Sequence, residues 1–182
     1  MRFKWMGALI ALALAAACDS NSVMDEIERG EARDAQRAQE VAVDSERFME
    51  QARAREGVDA RPSGLAVEFI HRGSNRNLPT PPDGSVVLVH YEGALADGTV
   101  FDSSIQRGEP AQFPLGGVIP GFSEAIQMMR PGDAVIAYIP PDLGYGARGS
   151  PPTIPPNAAL QFRIQLFAFQ SPDGRTVQAP QD

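Results

Sequence analysis

The stretch from Val86 to Ser104 reads VVLVHYEGALADGTVFDSS, and it has the pattern of two strands joined by a tight turn. Residues 86–95 are rich in β-branched and aromatic residues, which favour a strand. Asp97-Gly98 follows, and this pair is typical of a turn because glycine readily adopts a positive φ. Residues 99–101 then predict a second strand that returns beside the first.

The same short alternating segments continue on both sides of this hairpin. Residues 121–129 are apolar on one side only and are followed by Pro131-Gly132, so they predict the single short helix of the domain. A sheet with one helix is an α+β arrangement, and we predict an antiparallel twisted sheet wrapped around that helix. Further strands are expected at residues 65–70, 111–114, 134–139 and 159–169.

A charged arm precedes this domain, with the boundary near residue 60, at Arg61-Pro62-Ser63-Gly64. Residues 18–60 are rich in Ala, Glu, Gln and Arg, which predicts a helix that ends near Glu56. Three interpretations stay open: a solvated spacer, a helix that dimerises weakly, or a disordered segment. Dimerisation would use Val41, Phe48 and Met49. The compact domain is expected over residues 61–170, with a disordered tail at 171–182.

The first seventeen residues have the layout of a secretory signal peptide. Arg2 and Lys4 precede an apolar run at residues 6–17, which is shorter than the roughly 20 residues that a membrane-spanning helix needs. Cys18 follows at once, as in bacterial lipoproteins, where this thiol is acylated. We therefore expect a lipid anchor on Cys18 in the cell envelope, facing the periplasm, with the choice of inner or outer membrane open. An ordinary cleaved signal is the alternative.

Composition excludes several classes of function. The chain has 182 residues and a net charge of −7, so binding to the nucleic-acid backbone is not expected. It has one cysteine and two histidines, His71 and His90, which cannot supply a Cys/His zinc site or an internal disulfide. Neither a metal nor an organic cofactor is implied.

Five motifs in the domain, taken in order, resemble the FKBP-type peptidyl-prolyl isomerases. Each is weak alone, but their order and spacing over residues 63–169 make the resemblance specific. The arm and the run Gly108–Ala111 are most similar to the macrophage-infectivity-potentiator branch, although this arm is shorter than that branch's dimerisation helix. The motifs are His90–Gly93, Asp97–Ser104, Val118–Phe122, Pro140–Gly146 and Ile154–Ala158.

The resemblance implies a site and a role for each of its residues. Phe122 would form the floor beneath a proline ring, where the family often has Trp. Asp102 would orient a neighbouring group and would not act as a base. The Tyr145 hydroxyl and the Ile119 N–H would each hold a substrate carbonyl. The other pocket residues implied are Tyr91, Phe101, Phe113, Val118 and Phe162, with Ile154 at the rim.

The activity implied is cis–trans isomerisation of X-Pro bonds in proteins that fold outside the cytoplasm, with macrolides as inhibitors. Two departures from the family concern ligand range: Ala111 stands where some members have Phe, and Ser150 replaces a common His. A second hypothesis is a binding module that holds proline-containing segments without turnover. A third makes the arm the functional part and the domain a cap.

Overall fold

The computed structural model describes residues 19–180, with side chains from residue 23. Its first element is the long helix α1, Asp19–Arg53. The chain divides after Gln36, within α1, so the first half of this helix belongs to one unit, and residues from Arg37 onwards belong to a second. The signal peptide and Cys18 lie outside the described residues.

The second unit is built on one antiparallel sheet, which confirms the predicted α+β fold. Its central strands run in the order β1-β2-β6-β7-β3-β4, while β5 pairs with β3 and β8 pairs with β7. The hairpin predicted from the opening stretch is present, since β3 and β4 pair around a turn at Gly98, whose φ is +87°. The strands are β1 Val58–Ala60, β2 Ala66–His71, β3 Val86–Leu95, β4 Val100–Ser103, β5 Ala111–Pro114, β6 Ala134–Ile139, β7 Leu160–Gln170 and β8 Thr176–Gln178.

The helix expected at residues 121–129 is present as α3, Pro120–Gln127. Pro120 is well placed at its first position, where no backbone N–H is needed. One face of α3, including Phe122 and Ile126, is buried against the sheet. A second helix of four residues, α2 at Ser104–Arg107, was not predicted. Ser103 caps it by accepting from the N–H of Gln106, and Gly108 ends it in the left-handed conformation.

The second half of α1 packs on the domain, so the interpretation of the arm as a wholly solvated spacer is wrong. Met49 and Ala52 are buried in a cluster with Tyr138 of β6. Phe48 stacks edge-on against Tyr138, with 5.8 Å between ring centroids. The stripe of apolar residues that suggested a dimer is therefore largely occupied by the chain's own sheet, although Val23, Met24 and Ile27 of the first half are exposed.

Two boundaries differ from the prediction. Residues 58–60, assigned to the arm, form β1 and pair with β2. The tail at 171–182, expected to be disordered, contains β8, which pairs with the end of β7. Val177 of β8 packs against the core, and this long-range contact stabilises a strand too short to be recognised from its own residues. None of the described helices is long and apolar enough to cross a membrane.

Candidate active site in an aromatic cavity

One cavity of the domain, with a volume of about 400 Å³, is lined chiefly by aromatic side chains. Its volume falls in the range of ordinary small-ligand pockets. Different strands and α3 contribute the rings, so the cavity exists only in the folded sheet. The lining residues are Tyr91, Phe101, Asp102, Phe113, Gly117, Val118, Ile119, Phe122, Tyr145 and Phe162.

Most of the neighbouring rings around this space meet edge to face. Phe122 and Phe162 meet edge to face with 5.2 Å between centroids, and Phe101 meets Phe162 at 5.6 Å. Tyr91 contacts Phe113 in the same way at 5.5 Å. Edge-to-face pairs of this kind are favourable beyond the area they bury, so these contacts stabilise the walls of the cavity.

Gly93 of β3 is required by this arrangement. It pairs across the sheet with Phe162, and a Cβ at this position would lie 2.7 Å from both the Phe101 and the Phe162 rings. Because real side chains do not approach so closely, only glycine lets the two rings meet here.

A polar cluster closes one edge of the cavity. The Tyr91 hydroxyl donates to Asp102 Oδ2, and the Arg107 guanidinium donates both to Asp102 Oδ1 at 2.5 Å and to the Tyr91 oxygen at 2.9 Å. Burial raises the pKa of Asp102, but the hydrogen bonds from Tyr91 and Arg107 outweigh it and hold the pKa below its ordinary value. Burial, and then the bond to Asp102, raise the pKa of Tyr91. Asp102 is therefore a carboxylate and Tyr91 a neutral phenol at neutral pH, and neither is suited to act as a base.

Two donors at the cavity are available to a ligand. Ile119 precedes α3 in an extended conformation, and Tyr145, which is 39% exposed, also lines the cavity. Within the described residues, neither the Ile119 N–H nor the Tyr145 hydroxyl has a protein partner.

The structure brings nine of the ten predicted site residues around the cavity. The exception is Ile154, which was expected at the rim. It is 3% exposed, belongs to the main core, and is not among the residues that line the cavity. Its backbone forms an isolated bridge with Ser150, which holds this loop closed and turns the side chain inward.

Three residues of the site were missed in the sequence. Gly93 and Gly117 carry no side chain and so give no chemical signal, although glycine inside a strand does suggest a close approach. Arg107 is half exposed and resembles any surface arginine. It lies five residues after Asp102, across the junction of β4 and α2, and this separation gave no sequence signal for the ion pair.

The model of the family described as FKBP-type peptidyl-prolyl cis-trans isomerase matches residues 79–167. FK506-binding protein 1 of Dictyostelium discoideum is 45% identical over 109 residues, which cover 59% of this chain and 99% of that protein. The chain belongs to the FKBP family.

Longer relatives extend the similarity into the arm. The FKBP-type 22 kDa peptidyl-prolyl cis-trans isomerase of Escherichia coli K12 is 44% identical over 140 residues, 77% of this chain and 66% of that relative. The crystal structure of FkpA from Escherichia coli superposes with a TM-score of 0.73 at 30% identity, covering 91% of this chain and 75% of FkpA. The chain thus spans about two thirds of the length of the first curated relative.

Proposed function

We propose that this chain is a peptidyl-prolyl cis-trans isomerase that acts on proline-containing polypeptides. The observation that carries this proposal is the convergence of Tyr91, Phe101, Phe113, Phe122 and Phe162 on one cavity of about 400 Å³, in a member of the FKBP family. Such a cavity admits a proline ring and excludes most of the water around the bond that precedes it.

The chemistry needs neither a nucleophile nor a proton transfer. Rotation about an X-Pro amide is opposed by a barrier of about 18–20 kcal/mol, because the resonance of the planar bond is lost when it twists. A cavity that removes water from the amide carbonyl weakens the planar form, and one that fits the twisted bond better than either planar isomer accelerates rotation. The low pKa of Asp102 and the high pKa of Tyr91 agree with a mechanism that involves no base.

Each side chain of the cavity then has a role. Phe122 lies under the proline ring, and Phe101 and Phe162 exclude water beside it. The Tyr145 hydroxyl and the Ile119 N–H donate to substrate carbonyls on opposite sides of the bond. Asp102 and Arg107 hold the Tyr91 ring in place. Phe113 and Val118 complete the apolar lining.

The assay that tests the proposal measures isomerisation of a short proline peptide by the purified protein. We expect Phe101→Ala to lower kcat/KM severely, because it opens the cavity to water. Asp142→Asn, which changes an exposed carboxylate outside the cavity, serves as the matched control and should leave kcat/KM nearly unchanged. Equal effects of the two substitutions would contradict the assignment of the cavity.

The alternative is a binding module that uses the same cavity without turnover. The two proposals differ in one observable, since a module binds the peptide while isomerisation stays at the uncatalysed rate. Tyr145→Phe separates them further, because in an isomerase it lowers turnover more than peptide affinity. We favour the isomerase because the matching family is described as a peptidyl-prolyl cis-trans isomerase and because two donors without protein partners, the Ile119 N–H and the Tyr145 hydroxyl, lie at the cavity. The third hypothesis, with the arm as the functional part, requires the arm alone to find a partner.

Macrolides that fill such cavities are the small-molecule ligands we expect. Ala111 and Ser150 replace larger side chains that other family members carry, and Phe122 replaces a common Trp, so the cavity admits different ligand shapes. Competition between a macrolide and the proline peptide would place both in the one cavity.

We further propose that the protein is a lipoprotein of the cell envelope, anchored through Cys18 and facing the periplasm. The support lies in the sequence alone: a basic start, an apolar run and a cysteine directly after Ala15-Ala16-Ala17. Several acyl chains, each buried CH₂ contributing about 0.8 kcal/mol, would give a stable anchor. A weak homodimer through the arm would use Val23, Met24 and Ile27, which are exposed on the first half of α1.

A further inference from the structure

We propose that Ser45 of α1 is a positioning residue for the isomerase site, acting through the loop that carries Tyr145. The inference rests on the proposed function, and it deepens it by making the second half of α1 part of the active machinery.

Ser45 connects the helix to this loop through a buried hydrogen bond. It is a polar residue only 2% exposed, and its Oγ accepts from the backbone N–H of Ala159 at 2.8 Å. Ala159 is fully buried and directly precedes β7. A buried N–H of this kind destabilises the fold if it loses its acceptor, so the bond fixes where the chain enters β7.

The connection continues from Ala159 to Tyr145 in two short steps. Two residues before Ala159, the N–H of Asn157 donates to the carbonyl of Gly146 at 2.9 Å. Gly146 is the neighbour of Tyr145, and the Tyr145 carbonyl in turn accepts from Gly149 at 3.2 Å. On the other side, Leu160 lies close to the backbone of Gly144. The backbone on both sides of Tyr145 is therefore tied to the segment that Ser45 holds.

Two cavities beside Ser45 leave space into which this segment could move if the bond is lost. A cavity of about 120 Å³ lies on one side of Ser45, lined also by Pro155, Ala158 and Ala159. Another of about 350 Å³ lies on the other side and reaches Asn157. Ala159 itself packs in the cluster of Met49 and Ala52, but these apolar contacts are not directional, and the two cavities leave room beside residues 155–158. The hydrogen bond from the Ala159 N–H to Ser45 supplies a directed contact between this segment and α1.

The Tyr145 hydroxyl must lie within hydrogen-bond distance of a substrate carbonyl, and small displacements of such a donor are costly. Without Ser45, the loop can relax into the adjacent space, and Tyr145 moves with it. Removing the Ser45 hydroxyl should therefore lower turnover only while the Tyr145 hydroxyl is present.

A double-mutant cycle in the full chain tests this. We expect Ser45→Ala to lower kcat/KM for a proline peptide about fivefold, at the lower end of coupling between separate sites. In the Tyr145→Phe background, Ser45→Ala should change kcat/KM by less than about twofold. Ser45→Thr keeps the acceptor and should restore most of the activity. Arg53→Gln is the matched control, because it removes another bond from α1 to the domain, to the Gly64 carbonyl at 2.9 Å, outside this loop.

A second measurement keeps the test independent of turnover. Backbone amide chemical shifts of residues 144–149 should move in Ser45→Ala and stay in place in Arg53→Gln. Equal fold-losses in both Tyr145 backgrounds, or unchanged amide shifts in Ser45→Ala, would overturn the proposal. If the wild-type protein shows no acceleration at all, the proposed function fails, and the amide shifts alone then decide whether Ser45 positions the loop.

Discussion

At Gly93, the missing side chain leaves the space in which the rings of Phe101 and Phe162 meet. A Cβ there would lie 2.7 Å from either ring, so at least one ring must turn to admit it. Both rings line the cavity, and any such movement changes its shape. The absence of a side chain at Gly93 of β3 is thus required for the observed geometry of the site.

Gly93→Ala is therefore expected to damage both stability and activity. Overpacking a rigid core costs about 1–3 kcal/mol, and we expect a loss of that size in the free energy of unfolding. Urea unfolding and peptide isomerisation measure the two effects. Gly116→Ala is the control, since a Cβ at Gly116 meets no atom within 4 Å. A Gly93→Ala protein as stable and active as Gly116→Ala would show that the rings are not held as described.

The Asp102 carboxylate gives a prediction about pH. Because its pKa is lower in the folded protein than in the unfolded chain, its ionised form stabilises the fold above about pH 4, and this contribution is lost as the pH falls through the folded pKa. Asp102→Asn removes it. The free energy of unfolding of the variant should then fall less steeply between about pH 6 and pH 2 than that of the wild type. Parallel curves would contradict the ion pair.

The sequence predicted most residues of the site, but it was wrong about Ile154 and missed Arg107. The resemblance to the FKBP-type isomerases implied that Tyr91, Phe101 and Phe162 share one cavity; alternation along a strand shows only which residues of that strand lie on the same face. Ile154 could not be excluded, because the inward turn of its loop depends on the bridge to Ser150. Arg107 was missed because its partners, Asp102 and Tyr91, converge only when β3 and β4 pair.

Among the elements, α1 differs most from its prediction. The sequence predicts the helix and its apolar stripe, but it does not say what the stripe covers. In the structure, Met49 and Ala52 are buried against Tyr138, and Arg55 donates to the Tyr138 hydroxyl at 2.8 Å. The second half of α1 is thus part of the domain core, and side chains on the two sides of the predicted boundary near residue 60 pack together.

A matched pair of methionines measures this packing. Met49 is 3% exposed and Met24 is 57% exposed, and both lie on α1. Met49→Ala should lower the free energy of unfolding by about 2–4 kcal/mol, the usual cost of truncating a buried methionine. Met24→Ala should change it by less than about 0.5 kcal/mol. Urea unfolding decides the matter, and similar losses at both positions would show that α1 does not dock on the domain.

At the scale of the whole molecule, the FKBP fold is shown by the structure, while the proposed location in the cell rests on residues 1–18. These residues lie outside the described part of the chain, so their role is inferred from their order alone. The net charge of −7 made nucleic acid an unexpected partner. Composition does not identify the polypeptides on which the protein would act. Those depend on the shape of the cavity edge, which only folding creates.

The anchor is tested by fractionation of cells that express the protein. Cys18→Ala removes the thiol that would carry the lipid, and it should move the protein from the membrane fraction to the soluble envelope fraction. The substitution leaves the isomerase cavity untouched, so turnover of the released protein should equal that of the wild type. Retention of the Cys18→Ala protein in the membrane fraction would contradict the lipoprotein proposal.

The central claim is that a dry aromatic cavity accelerates X-Pro rotation without proton transfer. The most direct measurement is the exchange rate between the cis and trans NMR signals of one proline peptide, with substoichiometric protein, at several pH values. We predict exchange far above the uncatalysed rate, with a catalysed rate that is flat from about pH 6 to pH 8, where a general base would titrate. Peptide binding without faster exchange, or a rate that follows a titration across this range, would contradict the claim.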